Sequence, residues 1–292
     1  MSAAMKHFCI IANSGKDRND QIVKRICNYL EERSCSCQVL HNRMSDSKGI
    51  RHFTDLGEIS EDTECAIVLG GDGTMIQAAI DLVHRDLPIL GINTGTLGFL
   101  TEVDQNQLEE SLERLLDGRF IIENRIMLKE NKMFLRPDSR SSCYALNDMV
   151  ISKRGNCRLI TILVYVGEEL VDVYSADGLL VSTPTGSTGY NLSAGGPLMS
   201  PNTHAMVVTP ICAHALNKRS LVLDASDTIT LKIGQTKEHA EDLATFTADG
   251  RIVGELHTGD TLEICVPHAV TKLVKLSGIR FYERMREKLN EG

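Results

Sequence analysis

Tryptophan is absent from this 292-residue chain, and aromatic residues make up only 4% of it. Proteins that hold single-stranded nucleic acid stack bases on aromatic rings, so that class is poorly served. Basic residues are in deficit: Lys and Arg number 31 against 39 Asp and Glu, a formal charge of -8. That balance argues against a main task of holding nucleic acid or anionic lipid, while leaving room for a local basic pocket. No apolar run reaches the ~18 residues of a membrane helix. The start, Met1-Ser2-Ala3-Ala4-Met5-Lys6, lacks the apolar stretch and cleavage site of an export signal. The nine cysteines contain no C-x-x-C, and Cys35-Ser36-Cys37 is the one close pair, a spacing that suits neither zinc nor a redox centre. Cys9, Cys65 and Cys265 sit in apolar strand-like runs and read as small core residues. A reducing cytoplasmic setting is expected. The nine histidines form no H-E-x-x-H or related pattern, so no protein-caged metal is expected.

What is present fits a globular protein: 42% apolar and 24% charged residues. At ~100–200 residues per domain, the length suggests two. The first ~120 residues alternate strand and helix. Runs at 7–12, 37–40, 65–69 and 88–93 read as strands. Ile22, Ile26 and Leu30 mark one face of a helix over about 20–33, and Met75 to about Arg85 is a second helix. Asp104-Gln105-Asn106-Gln107 resembles a capping box before a helix striped by Leu108, Leu112, Leu115 and Leu116 and ended by Gly118. Continuous apolar strands alternating with helices imply a Rossmann-like parallel sheet covered on both faces. Beyond residue 120, short β-rich stretches follow at turn-like spacing: 120–129, 132–136, 142–152, 159–166, 169–174, 179–183, 206–211, 221–223, 228–233, 243–247, 251–256 and 261–266. They predict an all-β C-terminal sandwich domain over 121–277. The final helix, 278–292, is expected to return to the α/β domain over 1–120.

Gly70-Gly71-Asp72-Gly73-Thr74 stands between an apolar strand and a helix. Glycines let the backbone approach a phosphate, and a helix N-terminus offers free N–H groups and a positive dipole end. The turn is neither a Walker loop nor G-x-G-x-x-G. Its distinctive feature is Asp72, a carboxylate set where an anion would bind. It either caps the helix, accepts a proton from an attacking hydroxyl, or assists a Mg²⁺ that neutralises phosphates. A second constellation, Asp177 to Pro197, is dense in Ser, Thr and Gly and includes Thr183-Pro184-Thr185-Gly186-Ser187-Thr188. It reads as a hydrogen-bonding surface for a polar ligand or as a plain flexible loop, with Pro184, Tyr190 and Pro197 against the latter. Asn147-Asp148 enters an apolar strand and suits a ribose diol or an adenine edge, or simply a turn.

Taken in order, Gly70–Thr74, Gly95–Glu102, Asn147-Asp148 and Asp177–Ser193 resemble the NAD kinase family, from about Ala66 to Arg251. The glycine-Asp turn alone is shared with diacylglycerol and sphingosine kinases; its combination with Thr183–Thr188 is far more specific. The resemblance implies phosphoryl transfer to the 2′-hydroxyl of the adenosine ribose of NAD, giving NADP. It implies ATP with Mg²⁺ or another divalent cation, polyphosphate being left open as a donor, and a homodimer or homotetramer. By position, Asp72 corresponds to the group that takes the hydroxyl proton. Gly70, Gly71, Gly73 and Thr74 lie at the phosphates, with Gly73 also against NAD. Asn147 and Asp148 correspond to the adenosine-ribose pair, and Thr188, Gly189, Tyr190, Asn191, Leu192 and Ser193 to the adenine- and ribose-side loop. Asp177 corresponds to a carboxylate near the nicotinamide, sometimes supplied across a subunit interface, and Arg158 to a basic position near the ligand. Phe99 packs either by the adenine or in the core. Departures from the family pattern are Ala213 and Ser220, where prolines are usual, Gly189, where Ala is common, and Arg251, where Gln is usual. Arg251 either adds a phosphate contact or sits in solvent. Two rival readings remain at this stage: a lipid kinase with the same turn, and a non-catalytic NAD(P) sensor.

Overall fold

The structure, a computed structural model, describes residues 4–12, 17–41, 54–95, 98–133, 143–155, 159–215, 217–235, 243–276 and 281–290. The chain divides into two compact units, Met1–Arg125 with Ala269–Gly292, and Ile126–His268.

In the first unit, strands β1 (His7–Ala12), β2 (Ser36–His41), β3 (Cys65–Leu69), β4 (Pro88–Asn93), β5 (Val103–Asp104) and β6 (Ile121–Ile126) alternate with helices α1 (Asp17–Glu31), α2 (Asp72–Asp81) and α3 (Leu108–Leu116). Strands β1 and β3 are buried along almost their whole length, as expected of a parallel sheet covered on both faces. Ile22, Ile26 and Leu30 of α1 and Leu108, Leu112 and Leu115 of α3 meet Ile10, Ile67 and Leu90 in one core. Asp104 caps a 3-10 turn rather than α3 itself, accepting from the Asn106 amide at 2.9 Å. Gly118 ends α3 in the left-handed region at φ +67.

The second unit contains strands β7 (Leu128–Met133), β8 (Tyr144–Ala145), β9 (Asp148–Lys153), β10 (Ile160–Val166), β11 (Glu169–Ala176), β12 (Gly178–Ser182), the one-turn helix α4 (Tyr190–Ser193), then β13 (Ala205–Ile211), β14 (Leu221–Asp224), β15 (Ile229–Ile233), β16 (Leu243–Ala248), β17 (Arg251–His257) and β18 (Thr261–Cys265). Two antiparallel sheets result, ordered β11-β10-β15-β18-β7-β8 and β14-β13-β12-β9-β16-β17. Alternate residues of both, among them Ile162, Val164 and Leu231 from one and Met149, Ile151 and Phe246 from the other, share a single core. This is the expected sandwich.

The chain then returns to the first unit as β19 (Val270–Lys275) and α5 (Phe281–Asn290). Strand β19 pairs parallel with β4 and completes a sheet ordered β2-β1-β3-β4-β19-β6, with β5 also on β4. The sequence reading contains no strand after 261–266; Val270–Lys275 forms one because Leu273 and Val274 enter the α/β core. The stretch read as one strand over 120–129 breaks at Met127 into β6 and β7, which join different sheets. Among the described residues, no helix is long and apolar enough to cross a membrane, and every described cysteine is a free thiol.

Candidate functional site

The α/β unit offers the corner between β3 and α2. Gly70 donates its amide to the Ile92 carbonyl at 3.0 Å, keeping the turn against β4. A Cβ on Gly70 would stand 2.3 Å from Thr74 Oγ1, so glycine there is demanded by packing. Gly71 and Gly73 differ: no described protein atom lies within 4 Å of where their Cβ would be. Packing does not require glycine at those positions, and bare backbone there leaves room for a ligand to approach closely. Asp72 is the first residue of α2, and Gly71 is its N-cap. The Asp72 side chain turns toward the Gly98–Thr101 strap. Oδ2 accepts from the Phe99 amide at 2.8 Å and Oδ1 from the Leu100 amide at 3.0 Å. Gly98 makes that approach feasible, since a Cβ there would fall 2.0 Å from Asp72 Oδ1. An ionised carboxylate has about four lone-pair positions, so two remain after these bonds. The Phe99 ring faces Phe281 of α5 at 6.3 Å between centroids.

The β unit gathers a second corner at one end of the β12-β9-β16 ladder. Pairings Ser182↔Asp148 and Ala248↔Met149 bring together the start of β9, the end of β12 and the end of β16. Asn147 and Asp148 are thereby joined with the 183–193 segment. The Thr183 amide donates to the Asn147 carbonyl at 2.9 Å, and Thr183 Oγ1 donates to the Leu146 carbonyl at 2.6 Å. Ser187 Oγ donates to the Pro184 carbonyl at 2.7 Å and accepts from the Met199 amide at 3.0 Å. Ser182, Thr183 and Ser187 are fully buried, so this segment is a locked turn and not a loose loop. A Cβ on Gly186 would strike the Asn147 carbonyl oxygen at 2.3 Å, which is why the backbones can pack there. Thr188 and Leu192 are half-buried, and Gly189, Tyr190 and Ser193 are exposed. Asn191 is turned inward: its amide donates to the Pro197 carbonyl at 2.9 Å and its Oδ1 accepts from Thr209 at 2.7 Å. Thr209 Oγ1 lies 2.9 Å from Ser220 Oγ. The hydroxyl at a position where the family usually has proline therefore extends the chain that anchors α4.

Sequence reasoning passed over Asp249 as a site residue. Its carboxylate accepts from the Leu146 amide at 2.7 Å, the Asn147 amide at 2.9 Å and the Asp148 amide at 3.0 Å. Its own amide donates to the Asp148 carbonyl at 2.9 Å. Asp249 and Gly250 both have positive φ, +45 and +73, the conformation that Asp and Gly tolerate best at a tight corner. The available signal was the Asp-Gly pair itself, standing between the stretches 243–247 and 251–256. Burial raises the Asp249 acid above the ordinary carboxylate range. Asp148, 7% exposed, is pushed up to about 7 by burial and then by the neighbouring charge of Asp249. Arg251 is half-buried, with Nη2 donating to the Tyr144 carbonyl at 3.3 Å. Its Nε is buried without a hydrogen-bond partner among the described residues.

Asp177 is not brought into this corner. It precedes β12 at the opposite end, one five-residue strand away, roughly 17 Å. There it pairs with Lys153 Nζ at 2.6 Å. Arg158 lies outside the described residues. Among the described residues, no three His, Cys, Asp or Glu converge as metal ligands.

With this geometry in hand, comparison with known proteins gives a consistent result. The model of the ATP-NAD kinase N-terminal domain matches residues 8–120, and that of the ATP-NAD kinase C-terminal domain matches 146–276. A NAD kinase of Lachnoclostridium phytofermentans is 40% identical over 289 residues, covering 98% of this chain and 100% of the relative. Among solved structures, yeast NADH kinase complexed with NADH is similar with a TM-score of 0.82 at 24% identity, covering 98% of this chain and 88% of that one. A NAD kinase from Archaeoglobus fulgidus in complex with ATP has a TM-score of 0.73 at 22% identity, covering 98% and 99%. These likenesses define the chain as a kinase, an enzyme that moves a phosphoryl group. It belongs to the NAD kinase family, and NAD kinase activity is its function. Neither the lipid-kinase nor the sensor reading gains support from any of these matches.

Proposed function

We propose that the chain transfers the γ-phosphoryl group of ATP to the 2′-hydroxyl of the adenosine ribose of NAD, with Asp72 as the proton acceptor. The 2′-oxygen forms a bond to the γ-phosphorus, the bond from that phosphorus to the ADP oxygen breaks, and the hydroxyl proton passes to the Asp72 carboxylate. ADP and NADP are the products. Such transfers depend on positioning and on neutralising charge more than on covalent chemistry. The observation that carries this reading is the Asp72 carboxylate itself, fixed by two amides beside two glycines that packing does not require.

The bare backbone at Gly70, Gly71, Gly73 and Thr74, with the N-terminus of α2, receives the phosphates. Asn147 and Asp148 hold the adenosine ribose. Thr188, Gly189, Tyr190, Leu192 and Ser193 line the adenine and ribose side, and Asn191 supports them through its buried amide. Phe99 packs by the adenine, Arg251 adds a phosphate contact, and Arg158 adds positive charge near the ligand. Asp177 serves the nicotinamide end from a second copy of the chain, which its distance from Asn147 within one unit favours. The enzyme is a cytoplasmic homo-oligomer.

The donor set fits Mg²⁺ carried by the nucleotide and not one caged by protein: among the described residues of the turn and strap, Asp72 is the carboxylate at hand, and Mg²⁺ commonly keeps one or two carboxylates plus phosphates and water. When bound, the cation neutralises phosphate charge. The test is NADP formation by the purified chain from NAD, ATP and Mg²⁺, with polyphosphate as a second donor and diacylglycerol as a competing acceptor. NADP formation is the expected result. Phosphorylation of the lipid alone, or binding of NAD with no turnover, overturns the reading.

A further inference from the structure

The C-terminal helix reaches the catalytic corner from below. Arg284 on α5 is 6% exposed. Its Nη1 donates to the Thr101 carbonyl at 2.6 Å and lies 3.3 Å from the Gly98 carbonyl and 3.5 Å from that of Phe99. Those carbonyls belong to the strap whose amides at Phe99 and Leu100 hold Asp72. The strap is thus gripped twice, on its carbonyls by a guanidinium and on its amides by a carboxylate. A planar guanidinium with five donors suits convergent carbonyls in a way that a lysine ammonium does not. The grip has its own foundation. Glu102, at the strap's end, accepts from Lys275 Nζ at 2.9 Å and from the Leu276 amide at 3.0 Å, and Arg284 Nη2 stands 4.0 Å from it. Glu102 thus sets a negative charge between the Lys275 and Arg284 cations.

We infer that Arg284 is a positioning residue for the phosphoryl transfer: by fixing the Gly98–Thr101 strap, it sets the orientation of the Asp72 carboxylate. The inference rests on the assignment of Asp72 as proton acceptor. An error of about 1 Å in the placement of such a group can cost on the order of 100-fold in rate. Arg284 is buried and its Nη1 is aimed at the strap carbonyls, so its removal is expected to act on kcat far more than on substrate affinity.

The experiment compares full-length Arg284→Met, Arg284→Lys, Asp72→Asn and the double variant Asp72→Asn/Arg284→Met. Arg284→Met is expected to lower kcat ~10–100-fold with KM for ATP and NAD within about two-fold. Arg284→Lys, able to reach one carbonyl, recovers part of that loss. In the Asp72→Asn background, Arg284→Met changes kcat by less than about two-fold, because its effect runs through a carboxylate no longer present. Amide hydrogen exchange at Phe99 and Leu100 speeds up in Arg284→Met. If Arg284→Met does not fold, Arg284→Lys and Arg284→Gln carry the comparison in both backgrounds, and a smaller kcat-only loss that vanishes with Asp72→Asn is expected. A raised KM with preserved kcat, or an undiminished loss in the Asp72→Asn background, overturns the inference. Wild-type turnover in Asp72→Asn overturns the Asp72 assignment itself. A crippled Asp72→Asn beside an unimpaired Arg284→Met overturns only the role of Arg284.

Discussion

In the α/β unit, the Asp72 carboxylate accepts the amides of Phe99 and Leu100 at the first turn of a helix. In the β unit, Asp249 accepts three, those of Leu146, Asn147 and Asp148, at a sheet corner. Both residues face a loop far away in sequence, and both give that loop its shape. They differ in what is left over. Asp72 retains acceptor capacity beside bare glycine backbone and is free to act on a ligand. Asp249 is spent on the protein: its three amides come from consecutive residues, and the buried Asp148 carboxyl lies next to it. One carboxylate keeps lone pairs open beside bare backbone, the other orients its neighbours.

The comparison breaks most readily at Asp72. Asp72→Asn is expected to lower kcat by 10²–10⁴-fold, the usual worth of a general base, while calorimetric NAD affinity stays near wild type. Wild-type kcat would place Asp72 with the purely structural acids. Asp249→Ala should behave in the opposite way. Stranding three partly buried amides costs on the order of 3 kcal/mol of stability, read from urea midpoints, and KM for NAD rises about ten-fold or more with a smaller change in kcat. A kcat-only effect would erase the distinction. Gly186→Ala sharpens the β-side corner alone. Its Cβ meets the Asn147 carbonyl at 2.3 Å, so a loss of about 2 kcal/mol and a raised KM for NAD are expected. Gly189→Ala, whose Cβ meets its nearest atom at 3.3 Å, should change either quantity far less.

The smallest effect concerns pH. Asp148 holds its proton up to about pH 7 in the folded protein, well above the unfolded value. The folded state therefore binds more protons than the unfolded chain between about pH 4 and 7, and stability falls as pH rises through that window. From pH 6 to pH 7 the wild type should lose ~1 kcal/mol through this group, and Asp148→Asn should not. Urea titrations at the two pH values check the difference. Equal slopes for the two proteins would mean that neither burial nor Asp249 raises the Asp148 acid.

The features legible in the sequence were those carried by neighbours in the chain. The strand–Gly-Gly-Asp-Gly–helix corner declared itself because three local signals coincide within a few residues: the apolar run 65–69, the glycines and the helix start. The alternation of strands in the β unit was readable for the same reason. What stayed hidden depends on contacts across the chain. Asp249 meets Leu146, Asn147 and Asp148 across more than a hundred residues, and nothing in an Asp-Gly turn says which amides it will hold. Arg284 grips a strap 183 residues earlier. Its helix carries an ordinary amphipathic pattern in which one arginine looks like any solvated charge. Asn191 sits in a polar, ligand-like segment, yet its amide points inward because Pro197 and Thr209 supply better-placed partners. Asp177 is ten residues from Ser187 in sequence but lies at the other end of its strand, a consequence of extended geometry that a motif does not reveal.

Strand β19 enters the middle of the α/β sheet, between β4 and β6, although it is synthesised after the entire β unit. While the ribosome is still translating residues 126–268, β6 has no β19 beside it, and the strap under Asp72 has no Arg284. A segment that follows the whole β unit in the chain thus closes both the sheet and the strap whose amides hold Asp72. A chain stopped after residue 268 would carry the complete sandwich strands together with an α/β sheet that lacks β19 and a strap that lacks Arg284.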